Sequence, residues 1–94
     1  MYVRVATVHV RPGKLDEFVR TYRSEQMPVV QAAPGFQEAR LLTDPHTNTA
    51  IGITVWATEA EAKATPSRVA PGGPVTDLVT APATIAYYEL SVQV

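Results

Sequence analysis

The sequence predicts an α+β fold in which two helices cover one face of a four-stranded antiparallel sheet. Along the 94 residues, four segments are rich in apolar and β-branched residues and follow the two-residue period of a strand. Between the first and second of them, apolar residues recur with the spacing of a helix, and a short alanine-rich segment follows the third. The order βαββαβ brings both helices to the same face of the sheet.

Composition limits the classes of function. Residues 1–94 have the length of one domain. The net charge is −1 without a run of like charges, so we expect neither nucleic acid nor a membrane as a partner. Cysteine is absent, which excludes disulfides and thiolate metal sites. With no apolar stretch near the roughly 20 residues of a membrane helix and no charged-then-apolar leader, a cytoplasmic location is expected.

A strand and a helix are predicted on either side of the turn Arg11-Pro12-Gly13-Lys14. Residues 2–10 are largely apolar on both faces, which is typical of a central strand. After the turn, an apolar stripe with helical spacing continues to residue 33. Pro28 removes a helical hydrogen bond, so we expect a kink or a new short helix near residues 26–27. The stripe consists of Leu15, Phe18, Val19, Tyr22, Gln26, Val29, Val30 and Ala33.

A hairpin and a short helix come next. Residues 36–43 and 49–56 are predicted strands joined by turn residues at 44–48. Residues 59–65 form an alanine-rich helix that Thr58 caps. We expect Phe36, Glu38, Arg40 and Leu42 on one face of the second strand, and in the third strand Ile51, Ile53 and Val55 opposite Ala50, Gly52, Thr54 and Trp56.

The remaining segments are a loop, a helical turn and a strand. Residues 66–74 contain three prolines and two glycines, so we expect a loop that could act as a lid. Residues 75–81 suit one or two helical turns. Residues 83–94 are predicted as a long final strand that can reach a partner subunit, with Thr84, Ala86, Tyr88, Leu90, Val92 and Val94 on its apolar face.

The sheet is predicted to be apolar on both faces, although the helices cover only one. Val3, Val5 and Thr7 of the first strand occupy the uncovered face. Exposure of such a face would favour aggregation, whereas two sheets can pack face to face across a two-fold axis. We therefore expect a homodimer, and the alternative is a monomer with an unusually apolar surface.

Three segments of the chain together carry a family resemblance. They are Arg11-Pro12-Gly13-Lys14 with Leu15-Asp16-Glu17-Phe18, then Pro34-Gly35-Phe36, then Thr54-Val55-Trp56-Ala57-Thr58-Glu59-Ala60-Glu61-Ala62. With these segments the chain resembles the antibiotic biosynthesis monooxygenase domain family of the dimeric α+β barrel superfamily. The resemblance covers nearly the whole chain, and it implies a ferredoxin-like domain of which two subunits form a dimeric α+β barrel. Some members of this family oxidise aromatic polyketide intermediates with oxygen and no metal or flavin, a related branch degrades haem, and many have no assigned activity.

The chain departs from this family where known chemistry resides. Quinone-forming members have an asparagine four residues before the tryptophan that corresponds to Trp56, and here that position is Gly52. The haem-degrading branch has an asparagine where this chain has Ala6 and a tryptophan where it has Thr65. Many members have a histidine near that helix position and a glutamate where this chain has Thr54. The resemblance thus implies the scaffold and Trp56, without the side chains of the known reactions.

Trp56, Tyr22 and Gln26 are the residues that we expect to bind substrate, a small apolar or aromatic ligand. Tyr22 and Gln26 lie one turn apart on the helical stripe, and Trp56 shares a strand face with small residues that leave room for a ligand. Arg68 is expected to close over an anionic or phenolic ligand from the loop. The alternatives are that the aromatic residues only pack in the core and that Arg68 is solvated. No side chain is assigned as catalytic.

No metal site is expected, because His9 and His46 are the only histidines and lie far apart without carboxylates at ligand spacing. The leading hypothesis is a monooxygenase without cofactors, neither metal nor flavin, that acts on an aromatic or polyketide-like small molecule. Two others stay open: a non-catalytic small-molecule-binding or regulatory module, and an isomerase or cyclase on the same fold.

Overall fold

The computed structural model describes residues 1–64 and 76–94. Its elements follow the predicted α+β order, with the first helix in three parts. They are β1 (Tyr2–His9), α1 (Leu15–Thr21), a π-helical turn (Tyr22–Gln26), α2 (Met27–Ala32), β2 (Phe36–Asp44), β3 (Thr49–Trp56), α3 (Glu59–Ala64), a 3-10 turn (Thr76–Leu78) and β4 (Thr84–Glu89).

The four strands form one antiparallel sheet in the order β2-β3-β1-β4, so β1 is central as predicted. The final strand is shorter than the predicted span of residues 83–94, because β4 ends at Glu89. Glu89 pairs with Tyr2, the first residue of β1, and Leu90 N–H donates to Met1 O at 2.9 Å.

The two faces of β3 differ as the sequence predicts. Its even-numbered residues are buried beneath the helices, whereas Ile51, Ile53 and Val55 are only half-buried on the other side of the sheet. That other side, here called the open face, also exposes 49% of Leu42 and 58% of Tyr88. The open face consists of Val3, Val5, Thr7, Glu38, Arg40, Leu42, Ile51, Ile53, Val55, Thr84, Ala86 and Tyr88.

A β-bulge at the start of β2 overturns the face predicted for Phe36. Phe36 pairs with Trp56 and Glu38 pairs with Val55, so a step of two residues along β2 is matched by a step of one residue along β3. Phe36 therefore packs edge-on against Trp56 beneath the helices, with ring centroids 5.9 Å apart. Arg40 stays with Glu38, to which its Nε donates at 2.9 Å, as expected of that alternation.

The irregularity that Pro28 predicts is a π-helical turn. Met27 N–H donates to Tyr22 O, one residue further back than in an α-helix. Buried side chains recur here at every fourth residue, and in a pure α-helix such steps drift by about 40° each. The wider turn offsets that drift, and it leaves Val29, which was predicted within the stripe, 37% exposed. The buried side chains are Phe18, Tyr22, Gln26 and Val30.

The cap of α3 is the one predicted. Glu61 N–H donates to Thr58 Oγ1 at 3.2 Å, and Thr58 Oγ1–H donates to Glu61 Oε1 at 3.0 Å. The predicted loop 66–74 and Thr65 lie outside the described residues, and the 3-10 turn Thr76–Leu78 agrees with the helical turn predicted nearby. Within residues 1–64 and 76–94, no helix is long and apolar enough to cross a membrane.

Gly13 and Gly35 provide a matched test of how α3 packs against the turn before β2, because both glycines have φ near +80°. An alanine Cβ at Gly13 would meet no atom within 4 Å, whereas at Gly35 it would collide with the carboxylate of Glu61. Gly13→Ala should lower the free energy of unfolding by about 1–2 kcal/mol through backbone strain alone. Gly35→Ala should cost about 1 kcal/mol more, since it displaces Glu61 from the Thr58 cap.

Urea unfolding of the two variants measures this difference. In a Glu61→Ala background the excess cost of Gly35→Ala should disappear, because the collision partner is gone. Equal costs in the original background would contradict the assigned role of the Glu61 carboxylate.

Candidate functional site

The three helical parts between β1 and β2, residues 15–32, are here called the first helical segment. A cleft of about 310 Å³ opens between this segment and β2. Apolar side chains form most of its wall, and Tyr22 and Arg23 add polar groups. Its lining residues are Val19, Tyr22, Arg23, Met27, Leu41 and Thr43. Apolar walls with a few convergent polar groups are typical of small-molecule sites.

Tyr22 forms the inner wall of this cleft and fills the space above Gly52. The tyrosine is 6% exposed, and its ring lies 5.9 Å from that of Phe18. A Cβ atom at Gly52 would lie 2.7 Å from Tyr22 Oη and 3.5 Å from Cζ. The room that the small residues of β3 were predicted to leave for a ligand is therefore taken, at Gly52, by the hydroxyl of Tyr22.

Arg4 lies behind Tyr22 and is only 4% exposed. Its Nη1 donates to Ala62 O at 3.3 Å, and its guanidinium carbon lies 5.4 Å from the centroid of the Trp56 ring. Tyr87, which pairs with Arg4 across β1 and β4, also interacts with the guanidinium. The sequence prediction did not include Arg4. The available signal was an arginine on a strand whose side chains are otherwise mostly apolar, a position where a charge needs buried partners.

The electrostatics of Arg4 and Tyr22 are coupled. Burial raises the pKa of the Tyr22 phenol, and the positive charge of Arg4 lowers it by less. Desolvation lowers the pKa of Arg4, whereas Tyr87 and Tyr22 act to raise it. An arginine remains protonated at neutral pH, and a tyrosine with a raised pKa remains neutral. The site thus holds a cation beside a phenol that can donate a hydrogen bond.

Trp56 is fully buried next to Arg4, and it does not line the cleft. Its Nε1–H donates to Thr54 Oγ1 at 2.8 Å, so the indole nitrogen already has an acceptor within the protein. Gln26 is 5% exposed and belongs to the same π-helical turn as Tyr22. Arg68 lies outside the described residues. The structure therefore brings Trp56 and Tyr22 to opposite sides of Arg4, and a ligand-binding role for the four predicted residues stays a prediction.

Metal-ligating side chains do not cluster in the described parts of the chain. Among residues 1–64 and 76–94, no group of three or more histidine, aspartate or glutamate side chains could hold a metal ion. His9 and His46 are both exposed, and the turn that contains His46 is closed by its backbone N–H, which donates to Asp44 Oδ1 at 2.9 Å.

The contact between Tyr22 and Gly52 can be tested by a double-mutant cycle. Gly52→Ala should lower the free energy of unfolding by about 1–3 kcal/mol, because its methyl group overlaps Tyr22 Oη. In a Tyr22→Phe background the same substitution should cost clearly less, since only the ring carbons at 3.5 and 3.8 Å remain. Urea unfolding of the four proteins gives the coupling, and additive costs would show that the hydroxyl does not occupy this space.

Comparisons with known proteins agree on the fold. The structure superposes on that of an inferred antibiotic biosynthesis monooxygenase from Bordetella bronchiseptica with a TM-score of 0.77, at 15% identity over 97% of each chain. It superposes on the heme degrader MhuD of Mycobacterium tuberculosis, determined with two hemes in its active site, with a TM-score of 0.74, at 18% identity over 100% of this chain and 99% of that one. Such identities show a shared fold alone.

The curated proteins contain no match to this sequence. The model of the family described as antibiotic biosynthesis monooxygenase matches residues 1–65, which is most of the chain and includes β1, the first helical segment, the hairpin and α3. The chain belongs to the antibiotic biosynthesis monooxygenase family.

Proposed function

We propose that this protein is a monooxygenase that needs no metal or flavin and oxidises a small aromatic or polyketide-like molecule in the cleft beside Tyr22. The observation that carries the proposal is a buried, neutral phenol at the inner wall of a mostly apolar cleft. Membership of the antibiotic biosynthesis monooxygenase family supports the reaction type.

The position of the Tyr22 hydroxyl adds support. In quinone-forming members, the resemblance implies an asparagine at the position of Gly52. In this chain, Tyr22 Oη occupies the space directly above the Gly52 backbone. A polar donor thus reaches the same place from the helix, although the strand no longer supplies one.

The chemistry that this arrangement suits is oxidation of an activated ring carbon. A methylene group between aromatic rings reacts with one O₂ to give a carbonyl and one water, and the substrate itself supplies the electrons once it has lost a proton. Apolar walls such as Val19, Met27 and Leu41 would hold the rings and exclude water. The Tyr22 hydroxyl would donate to the substrate oxygen on which negative charge develops.

The volume of the cleft favours a small substrate. Ligand pockets commonly measure about 300–1,000 Å³, and 310 Å³ lies at the lower end of that range. A compact aromatic molecule of a few fused rings suits this space better than a tetrapyrrole does.

A binding module without catalysis is the second candidate. It is favoured by Thr54, which stands where many members have a glutamate and whose Oγ1 already accepts the indole N–H of Trp56. A ligand would then be held in the cleft without turnover.

Oxygen uptake separates these two functions. With a panel of anthrones, the protein should consume one O₂ for each methylene that becomes a carbonyl. Tyr22→Phe should lower kcat/KM by about 100-fold, because one donor to the developing oxyanion is lost. Tyr88→Phe removes a hydroxyl on the open face and should leave the rate unchanged. Binding of these compounds without oxygen uptake would establish the binding module instead.

We also propose that the protein is a homodimer joined through the open face. Leu42 and Tyr88 are about half exposed there, beside the half-buried Ile51, Ile53 and Val55. Apolar side chains grouped in this way, beside the ion pair of Glu38 and Arg40, are typical of a protein interface. Packing of two such sheets across a two-fold axis would remove it from water.

Light scattering at micromolar concentration should give about twice the chain mass of 10.2 kDa. Ile53→Glu introduces one carboxylate from each subunit at the centre of the proposed interface and should give a folded monomer. Val29→Glu changes an exposed apolar residue on α2 and should leave the dimer intact. A wild-type protein that scatters as a monomer would contradict the proposal.

A further inference from the structure

We propose that Arg4 makes the cleft selective for aromatic ligands that bind as anions, with a phenolate or enolate oxygen accepting a hydrogen bond from the Tyr22 hydroxyl. The proposal rests on the proposed function of the same cleft and names the class of ligand it takes. Arg4 does not line the cleft, so it is a positioning residue that acts through Tyr22.

The register of the sheet places the two groups together. Arg4 pairs with Thr54, so Gly52 is its diagonal neighbour on the face beneath the helices. Tyr22 Oη lies directly above Gly52. The long side chain of Arg4 and the hydroxyl of Tyr22 thus share the small space between β1, β3 and the first helical segment.

The guanidinium is held in place by three further elements. The carbonyl of Ala62 in α3 accepts from Nη1, the Trp56 ring of β3 lies 5.4 Å from the guanidinium carbon, and Tyr87 of β4 is the cross-strand neighbour of Arg4. A guanidinium fixed in this way cannot swing out to the surface. Its positive charge stays on the inner side of Tyr22, where water does not screen it.

The charge can act on a ligand oxygen that contacts Tyr22. A positive charge within about 4–6 Å of an acid commonly lowers the pKa of that acid by 1–3 units. The charge of Arg4 already acts on Tyr22. Burial raises the pKa of the Tyr22 phenol, and Arg4 lowers that pKa by a smaller amount. A phenolic ligand that hydrogen-bonds Tyr22 is less buried than Tyr22, so the effect of Arg4 on its ionisation should exceed that of desolvation.

Other charges near the cleft are few in the described part of the chain. The helical segment contributes Arg23, which is exposed, and the β2 wall contributes the uncharged Leu41 and Thr43. Glu38 and Arg40 belong to the opposite side of the sheet, where they pair with each other. Arg23 is therefore the charge from which the effect of Arg4 has to be distinguished.

The test is the pKa of a bound reporter phenol. The probe is 4-nitrophenol, whose phenol and phenolate absorb at different wavelengths, titrated in the presence of saturating protein. With the wild type, the pKa of the bound phenol should fall by about one unit or more, which is a tenfold or greater preference for the anion. Arg23→Gln should retain most of this shift.

Variants of the two residues complete the test. Arg4→Met, which replaces a buried charge by an apolar chain of similar length, should abolish the shift, and Arg4→Lys should restore part of it. Tyr22→Phe should reduce the shift while Arg4 remains in place. Circular dichroism checks that each protein is folded, and if Arg4→Met does not fold, the lysine and phenylalanine variants still decide.

Four results would overturn the inference. If the bound phenol keeps its aqueous pKa, or if Arg4→Met retains the full shift, Arg4 does not select the anion, and the proposed reaction in the cleft is untouched. If Arg23→Gln abolishes the shift, the selecting charge is Arg23. If neither 4-nitrophenol nor its uncharged analogue 4-nitroanisole binds, the proposed function of the cleft fails as well.

Discussion

The burial of one positive charge constrains how the rest of this small domain is built. Removing a guanidinium from water costs several kcal/mol unless polar partners replace the water. Arg4 is on the central strand, and its contacts come from α3, β3 and β4, with Tyr22 of the first helical segment close by. Docking of both helices on the sheet therefore completes the environment of Arg4, so the packing of the fold and the electrostatics of the cleft depend on the same contacts.

The π-helical turn is the second constraint, because it decides which side chains face Arg4. Buried positions at every fourth residue drift by about 40° per step around an α-helix, and one wider turn offsets that drift. Phe18, Tyr22, Gln26 and Val30 are all buried along this stretch. The extra residue of the wider turn has to lie before Pro28, because proline has no N–H with which to continue the earlier hydrogen-bond pattern.

Patterns among residues that are neighbours in sequence predicted most of the fold. The features that were predicted wrongly or missed depend on contacts between distant parts of the chain. The alternation of β3, the Thr58 cap and the break before Pro28 depend on neighbours in sequence, and all three were found. The face of Phe36 was predicted wrongly because a bulge is fixed by the partner strand. The length of β4 was also wrong, since it depends on where β1 begins to pair. In the site, Tyr22 was predicted, whereas Arg4 was not, because its partners come from distant segments of the chain.

Gly52 and Tyr22 show how a helix can bring a polar group to a strand position that has no side chain of its own. A strand residue with a polar side chain and a glycine covered by a tyrosine hydroxyl present the same kind of donor to the same space. The helix can supply that donor only because Gly52 has no Cβ, so the two positions are linked by geometry. Inspection of the strand residues alone would miss this donor, because it comes from the first helical segment.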